Sequence, residues 1–309
     1  MTDRFNQLEQ FYFFNSRWLY DRFLQLIIYP SIWVAAAIAS LGIYTQTRLN
    51  LGHNWLPTAL IFVTALIPYN LDRIFDSYVQ KIPEHKAQLF FRQPCIWVLL
   101  ASAIATTIVL ISIAPARVRY VCIAGIVPLL YGTPIFPWKQ NSQQQARWRW
   151  YRLKDIPGSK AWIAGGTLTY AVIALPMAYE GARFDLTAAW LTLFMFVFIV
   201  TNSHIFDIRD IDSDRQKGVV TLPTIAGVRG TKVILTAMNL LVMLLAICLW
   251  IANLVSYRPE VFLALTINLI YVWTIKIDTP RWIYSILIEA FLFVPMLGNL
   301  ALKAIGYGE

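Results

Sequence analysis

The sequence predicts an all-α membrane protein with nine membrane-spanning helices. Of its 309 residues, 58% are hydrophobic and 14% are charged, whereas about 25% of the residues of an ordinary soluble domain are charged. Apolar runs of roughly 18 to 25 residues recur along the chain, and each can cross the ~30 Å hydrocarbon core of a bilayer as a helix. Most of the 26 lysines and arginines lie in alternate loops, which agrees with nine crossings under the positive-inside rule.

The nine predicted helices are joined by short loops on one side of the membrane and by long, charged loops on the other. In chain order they lie near residues 26–44, 55–70, 94–114, 118–131, 161–179, 187–205, 231–255, 259–275 and 282–303. The fourth segment is the shortest, and Pro128 and Pro134 near its end predict a kink or an early helix end. We predict that all nine belong to one membrane domain, residues 1–309.

The first 25 residues form a candidate interfacial segment ahead of the first predicted helix. Apolar residues there partly follow a helical spacing, which would lay the segment along the membrane surface: Phe5, Leu8, Tyr12, Leu19 and Phe23. A polar N-terminus with some buried aromatic residues is equally consistent with this composition. The sequence leaves both interpretations open for residues 1–25.

The distribution of basic residues predicts the orientation of the protein. A cytoplasmic N-terminus puts the basic loops after the second, fourth, sixth and eighth helices on the cytoplasmic side as well. This topology accounts for the formal net charge of +9, so we predict no nucleic-acid partner. Three cysteines lie singly inside apolar runs, Cys95, Cys122 and Cys248, and this spacing predicts neither a disulfide framework nor a zinc site.

A first acidic motif follows the second predicted helix in the stretch PYNLDRIFD. Asp72 and Asp76 are four residues apart, so a continuing helix places both carboxylates on one face, next to Arg73 in the sequence. Asn70 lies about 200° from Asp72 around the helix and faces elsewhere unless the turn is distorted. Pro68 makes such a distortion plausible.

A second acidic motif, DIRDIDSDRQKG, follows the sixth predicted helix and begins at residue 207. Its acids at positions i, i+3 and i+7 share one face of a helix: Asp207, Asp210 and Asp214. Asp212 lies off that face and is expected to point to solvent. Arg209 and Arg215 lie beside these acids, and Gly218 is a predicted helix stop.

Two such motifs on the same side of the membrane predict a magnesium and diphosphate site. Carboxylates at this spacing repel one another unless cations bridge them. Mg²⁺ prefers hard oxygen ligands and takes one or two carboxylates together with substrate phosphates. The alternative is that each charge cluster is a solvated helix end that holds the orientation of the chain.

These residues resemble the UbiA superfamily of intramembrane prenyltransferases along most of the chain. The resemblance implies nine helices around a central cavity and two Asp-rich motifs that bind Mg²⁺ and the diphosphate of an isoprenoid donor. DRIFD is similar to the second half of the family motif NxxxDxxxD, and DIRDIDSDRQKGVVTLPTIAG is similar to its DxxDxxxD motif. The chain departs from the pattern at Pro68, where the family has Asn, and at Phe206, where it often has Lys or Asn. Either Asn70 replaces the missing Asn after a local kink, or that contact is absent.

A third, weaker match lies after the fourth predicted helix, in YGTPIFPWK and YRLKDIPGSKAW. The resemblance implies that Tyr131, Arg152 and Lys154 contact the phosphate or the leaving group. With Asn70, Arg73, Arg209 and Arg215 they complete the predicted substrate-binding residues, while the five motif aspartates are the predicted metal-binding and catalytic residues. The insert NSQQQARWRW separates the two halves, so which base reaches the site stays open.

The predicted function is Mg²⁺-dependent transfer of an isoprenyl group from an allylic diphosphate to a lipophilic or aromatic acceptor within the membrane. Aromatic residues near the motifs are candidates to stabilise an allylic cation: Tyr69, Phe75, Tyr78, Tyr131 and Phe206. Glu289, an acid inside the ninth helix, is expected to face the cavity, and the alternative is a snorkelling or paired structural acid. His204 is either a site residue or a structural hydrogen-bonding group. A non-catalytic isoprenoid-binding protein and a cation-coupled transporter are the alternative functions.

Overall fold

A computed structural model of the protein describes residues 18–79, 85–129, 136–142, 145–151, 156 and 158–306. For residues 75–79, 85–86, 126–129 and 217, and for both strands of a hairpin, the description is of the backbone. Helices make up most of this part of the chain. The predicted all-α class is therefore confirmed, and the structure adds one two-stranded hairpin to it.

Each of the nine predicted segments coincides with a helical segment of the structure. The α-helices are α1 (Ile32–Arg48), α2 (Trp55–Val79), α3 (His85–Phe91), α4 (Pro94–Ile113), α5 (Ala116–Leu129), α6 (Lys160–Glu180), α7 (Leu186–Arg209), α8 (Ile211–Lys217), α9 (Leu222–Ile251), α10 (Pro259–Thr274) and α11 (Val294–Ala304). A first π-helix, Leu24–Ile28, precedes α1. A second π-helix, Ile283–Ile288, and a 3₁₀ turn, Phe291–Phe293, lead into α11.

Five helical stretches of the described residues are long and apolar enough to cross a bilayer: α4, α6, α7, α9 and the stretch Ile283–Ala304. A sixth is obtained if Trp18–Ile28 and α1, which are bent by 58° relative to each other, count as one broken span. These helices identify an integral membrane protein. The count of nine spans stays a prediction.

The hairpin lies between α5 and α6, in the insert that the sequence analysis treated as a loop. Its strands β1 (Phe136–Ser142) and β2 (Gln145–Tyr151) pair antiparallel, with Phe136 opposite Tyr151 and Ser142 opposite Gln145. The sequence of β2, QARWRWY, alternates polar or basic residues with aromatic ones, a pattern that favours a strand. This alternation is the local signal of the hairpin in the sequence.

The main apolar core lies between α1, α2, α6 and α7. Tyr44, Leu60, Phe194 and Phe198 are fully buried in it. Gly165 allows α6 to approach α7 closely, because a Cβ atom at this position would collide with the side chain and backbone of Val200. This close packing holds the C-terminal ends of α2 and α7, which carry the two acidic motifs, at fixed positions.

The chain bends sharply between the first π-helix and α1, and α2 satisfies the carbonyl groups that the bend exposes. Ser31 has φ 60° at this point. Nδ2 of Asn70 donates to the carbonyl oxygens of Pro30 (3.0 Å) and Leu66 (2.8 Å). Nη1 of Arg73 donates to the carbonyl oxygen of Ile28 (2.5 Å). Buried carbonyls require such partners, so these side chains belong to the construction of the bend.

The second acidic motif is divided between two helices, whereas its spacing was interpreted on one continuous helix. α7 ends at Arg209, Asp210 has φ −92° and ψ 6°, and α8 begins at Ile211. α8 ends at Gly218, whose φ of 67° is left-handed, as the sequence predicted for a helix stop. Asp210 is the junction of the two helices: its N–H donates to the carbonyl oxygen of Phe206, and its own carbonyl oxygen accepts from the N–H of Asp214.

Candidate active site

A cavity of about 570 Å³ opens between the N-terminal segment, α2, α7 and the second π-helix. This volume lies within the ~300–1,000 Å³ range of small-molecule sites. Of the predicted site residues, Asp72, Arg73 and Arg209 line it together. Glu289 also lines it, which confirms the expectation that this acid faces the cavity.

Basic and acidic side chains line the cavity in equal number. Three arginines line it, Arg73, Arg209 and Arg281, and so do three carboxylates among its described lining residues, those of Asp21, Asp72 and Glu289. Nη2 of Arg73 lies 3.2 Å from Oε1 of Glu289, so these two charges neutralise each other. The other guanidinium groups suit an anionic ligand, because such groups bind phosphate oxygens.

Apolar and aromatic side chains form the rest of the cavity wall. Leu24, Ile28, Phe91 and Trp282 line it together with Phe206, which was predicted from the sequence to be near the site. The guanidinium carbon of Arg209 lies 5.0 Å from the ring centre of Phe206. A charged group beside a largely apolar wall suits a ligand that is anionic at one end and apolar at the other.

Asp207 and Asp214 meet around the ammonium group of Lys160, the first residue of α6. Nζ of Lys160 is 3.4 Å from Oδ1 of Asp207 and 3.5 Å from Oδ2 of Asp214. The two acids are only 3% and 5% exposed. Nδ1 of buried His204 lies 3.5 Å from Oδ2 of Asp207, and its ring contacts the edge of Trp162. Two acids of the second motif therefore converge, with Lys160 as their counter-ion.

Asp210 has a separate partner. Nε and Nη2 of Arg209 donate to its two carboxylate oxygens at 2.8 Å and 2.7 Å. Burial alone would raise the pKa of Asp210, but the hydrogen bonds and charge of Arg209, with the charge of Lys160, hold this pKa below its usual range. Burial raises the pKa of Asp214, because the opposing charge of Lys160 does not compensate for burial and for the neighbouring motif carboxylates.

The described residues fit Mg²⁺ as a carboxylate pair that substrate phosphates would complete. No three acids, histidines or cysteines in the described part of the chain are arranged around one metal position. Oδ2 of Asp207 and Oδ2 of Asp214, however, are buried and accept no hydrogen bond from the described residues. Two such oxygens, together with phosphate oxygens and water, are a ligand set that Mg²⁺ accepts.

Sequence comparisons and structure comparisons give different results for this chain. No sequence model of a protein family and no curated protein matches it. A solved structure of an apo UbiA homologue from Aeropyrum pernix K1 is 13% identical, covers 87% of this chain and 98% of its own, and gives a TM-score of 0.61. The chain has the UbiA fold.

Two further structures have the UbiA fold with similar coverage. A homologue from Archaeoglobus fulgidus bound to GPP and Mg²⁺ is 10% identical, covers 92% of this chain and 99% of its own, and gives a TM-score of 0.59. A digeranylgeranylglyceryl phosphate synthase is 14% identical, covers 91% of this chain and 97% of its own, and gives a TM-score of 0.54. The predicted resemblance is thus confirmed at the level of the fold.

Of the remaining predicted residues, Asn70 and Arg215 are described and do not line the cavity. Asn70 is buried and its amide nitrogen is used by the bend before α1. The side chain of Arg215 is 60% exposed and lies 3.9 Å from Asp212, which is 73% exposed as predicted. Tyr131, Arg152 and Lys154, and the side chains of Phe75, Asp76 and Tyr78, lie outside the described residues.

Two residues of the site were not among the predicted site residues. Lys160 is the first residue of α6, and the dipole of a helix disfavours a positive charge at its N-terminus. A lysine at this position therefore indicates that an acidic residue lies beside it. Arg281 lies four residues before Ser285 and eight before Glu289, and all three line the cavity. This i, i+4, i+8 spacing was visible in the sequence as one polar stripe on an otherwise apolar helix.

Proposed function

We propose that the protein transfers an isoprenyl group from an allylic diphosphate to a lipophilic or aromatic acceptor within the membrane. The observation that carries this proposal is a cavity in which Asp72 and three arginines adjoin an apolar, aromatic wall. A diphosphate fits the charged part and an isoprenyl chain fits the apolar part. The UbiA fold supports the proposal, because structures with this fold are described as bound to GPP or DMAPP with Mg²⁺.

The proposed magnesium-binding residues are the five motif aspartates: Asp72, Asp76, Asp207, Asp210 and Asp214. When bound, Mg²⁺ would stabilise the negative charge that develops on the departing diphosphate oxygens. Oδ2 of Asp207 and Oδ2 of Asp214, which accept no hydrogen bond from the described residues, would coordinate it in place of their contacts with His204 and Lys160. Asp210 holds the guanidinium of Arg209 through two hydrogen bonds and so orients it.

Basic side chains of the cavity would bind the diphosphate as it leaves. Arg209 and Arg281 line the charged part of the cavity, and guanidinium groups donate to phosphate oxygens in fixed geometry. Lys160, now between two carboxylates, would become free to donate to phosphate once those carboxylates have another counter-ion. Tyr131, Arg152, Lys154 and Arg215, carried over from the family resemblance, stay proposed contacts of the donor.

The apolar wall would protect the isoprenyl carbon during transfer. When the bond from this carbon to the diphosphate oxygen breaks, an allylic cation is left that water would quench. Tyr69 and Phe206 line the cavity, and aromatic ring faces stabilise a cation through their quadrupoles. We further propose that the N-terminus and both acidic motifs face the cytoplasm, and that the acceptor enters from the surrounding lipid.

The test of this proposal is diphosphate release by the purified full-length protein. The protein is given Mg²⁺, a panel of allylic diphosphates, and phenolic, quinonoid and tetrapyrrole acceptors. Asp72→Asn is expected to lower release about a hundredfold or more, because it removes a charged group from the cavity. Asp212→Asn, an exposed acid of the second motif, is the matched control and is expected to stay within about twofold. Equal release by wild type and Asp72→Asn would contradict the proposal.

A non-catalytic isoprenoid-binding protein is the second candidate function. It is favoured by the internal neutralisation of the second motif, in which Lys160 bridges two acids and Arg209 pairs with the third. Such a protein would bind an allylic diphosphate without releasing diphosphate on any acceptor. Equilibrium binding of geranyl diphosphate, measured beside the release assay, distinguishes this candidate from the transferase.

A further inference from the structure

Glu289 is a buried acid in the cavity wall with one carboxylate oxygen in use and one unused. The residue is 4% exposed. Oε1 lies 3.2 Å from Nη2 of Arg73, whereas Oε2 is buried and has no hydrogen-bond partner among the described residues. A buried charged acceptor without a partner is strongly unfavourable. Glu289 lines the cavity, so a ligand bound there can supply the partner that Oε2 lacks.

Neighbouring side chains hold Glu289 in place. It directly follows the second π-helix, Ile283–Ile288, and such helices are rare and frequent at functional sites. Nε1 of Trp33 donates to the carbonyl oxygen of Ile286 (3.0 Å), and Nδ2 of Asn202 donates to that of Ile288 (2.9 Å). Donors from α1 and α7 thus stabilise the irregular backbone, and the carboxylate position is preorganised.

Glu289 lies apart from Arg281, one of the groups proposed to bind phosphate. Arg281, Ser285 and Glu289 line one wall of the cavity in that order along the chain, so Glu289 is roughly 10 Å further along the helix than Arg281. Asp72 is exposed, whereas Glu289 is buried. A carboxylate repels a diphosphate, and the part of the cavity beside Glu289 therefore suits a neutral molecule that donates a hydrogen bond.

We propose that Glu289 binds the acceptor through an acceptor hydroxyl group, of the acidity of a phenol, and takes up the hydroxyl proton during transfer. The proposal rests on the proposed prenyl transfer. The hydroxyl donates to Oε2 of Glu289, while Arg73 contacts Oε1. The proton passes to Oε2, and the electron pair freed on the acceptor oxygen, or delocalised onto its ring, forms the bond to the allylic carbon. The diphosphate leaves with the electron pair of the broken C–O bond.

The test compares two probes that differ in one hydrogen-bond donor, 4-hexylphenol and its methyl ether. Binding of each to the full-length protein is measured by calorimetry in detergent, with and without Mg²⁺ and geranyl thiolodiphosphate, a donor analogue that reacts slowly. Wild type is expected to bind the phenol at least about tenfold more tightly than the ether, because a hydrogen bond to a charged group has this effect on affinity. Glu289→Gln is expected to reduce that ratio to about threefold or less.

The matched control is Glu260→Gln, another buried glutamate with an arginine at 3.2 Å, which is expected to keep the wild-type ratio. Glu289→Asp, which withdraws the carboxylate by one methylene, is expected to give an intermediate ratio and serves if Glu289→Gln does not fold. A wild-type ratio near one, or an unchanged ratio in either Glu289 variant, would overturn the inference. If wild type does not bind geranyl thiolodiphosphate, that result counts against prenyl transfer. The phenol-to-ether ratio measured without the analogue would still test the role of Glu289.

Discussion

Two buried arginine–glutamate pairs have the same geometry but different surroundings. A guanidinium nitrogen lies 3.2 Å from a carboxylate oxygen both in the pair of Arg73 with Glu289 and in the pair of Arg48 with Glu260. Arg48 ends α1, and α2 runs back from Trp55, so Arg48 and Arg73 are separated by roughly 27 Å along α2. One pair lies at the cavity and the other at the opposite end of the bundle.

The pair at the opposite end is surrounded by partners. Oη of Tyr44 donates to the same Oε1 of Glu260 at 3.2 Å, and Arg48 also donates to the side chain of Asn299. Glu260 lies in the first turn of α10, where the helix dipole favours an acid. Gly298 packs against it so closely that a Cβ atom there would lie 3.0 Å from Cβ of Glu260. These contacts tie α1, α10 and α11 together.

The difference between the pairs lies in the unused bonding capacity of the glutamate. Oε2 of Glu289 is buried without a partner among the described residues, whereas neither oxygen of Glu260 is in that state. Arg48 borders two smaller cavities of about 300 and 250 Å³, but Glu260 lines neither. Among the described residues, the unpartnered atom of the cavity pair therefore belongs to the acid, whereas that of the other pair is Nε of Arg48.

The largest expected effect on stability is that of Glu260→Ala. Removing one partner of a buried pair leaves an uncompensated charge, and we expect a loss of about 3–5 kcal/mol in the free energy of unfolding. Glu289→Gln is expected to lower the free energy of unfolding by about 1 kcal/mol, because Arg73 can still donate to the amide oxygen of the new side chain and to the backbone carbonyl groups before α1. Chemical unfolding in mixed detergent micelles measures both values.

The binding assays provide the reciprocal control for this comparison. Folded Glu260→Ala should bind the allylic diphosphate and 4-hexylphenol like wild type, whereas Glu289→Gln should lose the preference for the phenol. If the two variants were equally destabilised and equally impaired in binding, the distinction between a structural pair and a ligand-binding pair would be wrong.

A smaller effect is expected for Tyr44→Phe in the structural pair. The change removes the hydroxyl that donates to Glu260 while Arg48 stays in place, and a hydrogen bond to a charged group contributes about 1.5–3 kcal/mol. Tyr284→Phe near the cavity is the matched change: Oη of Tyr284 donates to a neutral carbonyl, that of Lys276, so about 1 kcal/mol is expected. The same unfolding assay compares them, and a larger loss for Tyr284→Phe would contradict the account.

Sequence patterns predicted the helices much better than the contacts made by their polar ends. Apolar runs long enough to cross a bilayer are a local property, so all nine segments could be recognised, and the turn at Gly218 has a local signature as well. The partner of a buried charge depends on tertiary packing instead. Lys160 is more than 40 residues from Asp207 in the sequence, and no periodicity relates them.

The acidic motifs illustrate the same limit within a few residues. The i, i+3, i+7 spacing assumes one helix, whereas α7 ends at Arg209 and α8 begins at Ile211. The carboxylate of Asp210 pairs with Arg209, while those of Asp207 and Asp214 lie beside Lys160. Asn70 was considered as a replacement for a donor-binding Asn, but the bend before α1 uses its amide nitrogen. Both outcomes depend on backbone geometry that a single helical period does not describe.

The smallest expected effect is that of Arg215→Gln, which compares the two arginines of the second motif. Arg209 is held by two hydrogen bonds and lines the cavity, whereas Arg215 is 60% exposed and 3.9 Å from an exposed acid.

An exposed pair of this kind contributes about 0–0.5 kcal/mol. The free energy of unfolding of Arg215→Gln should therefore hardly change, and its affinity for geranyl diphosphate should stay within about twofold of the wild-type affinity. Arg209→Gln, measured beside it, should weaken that affinity at least about tenfold, because its charged hydrogen bonds to phosphate are lost. A tenfold loss of affinity in Arg215→Gln would instead assign this arginine to the diphosphate site, and the exposed end of α8 would then have to close over the cavity when the donor binds.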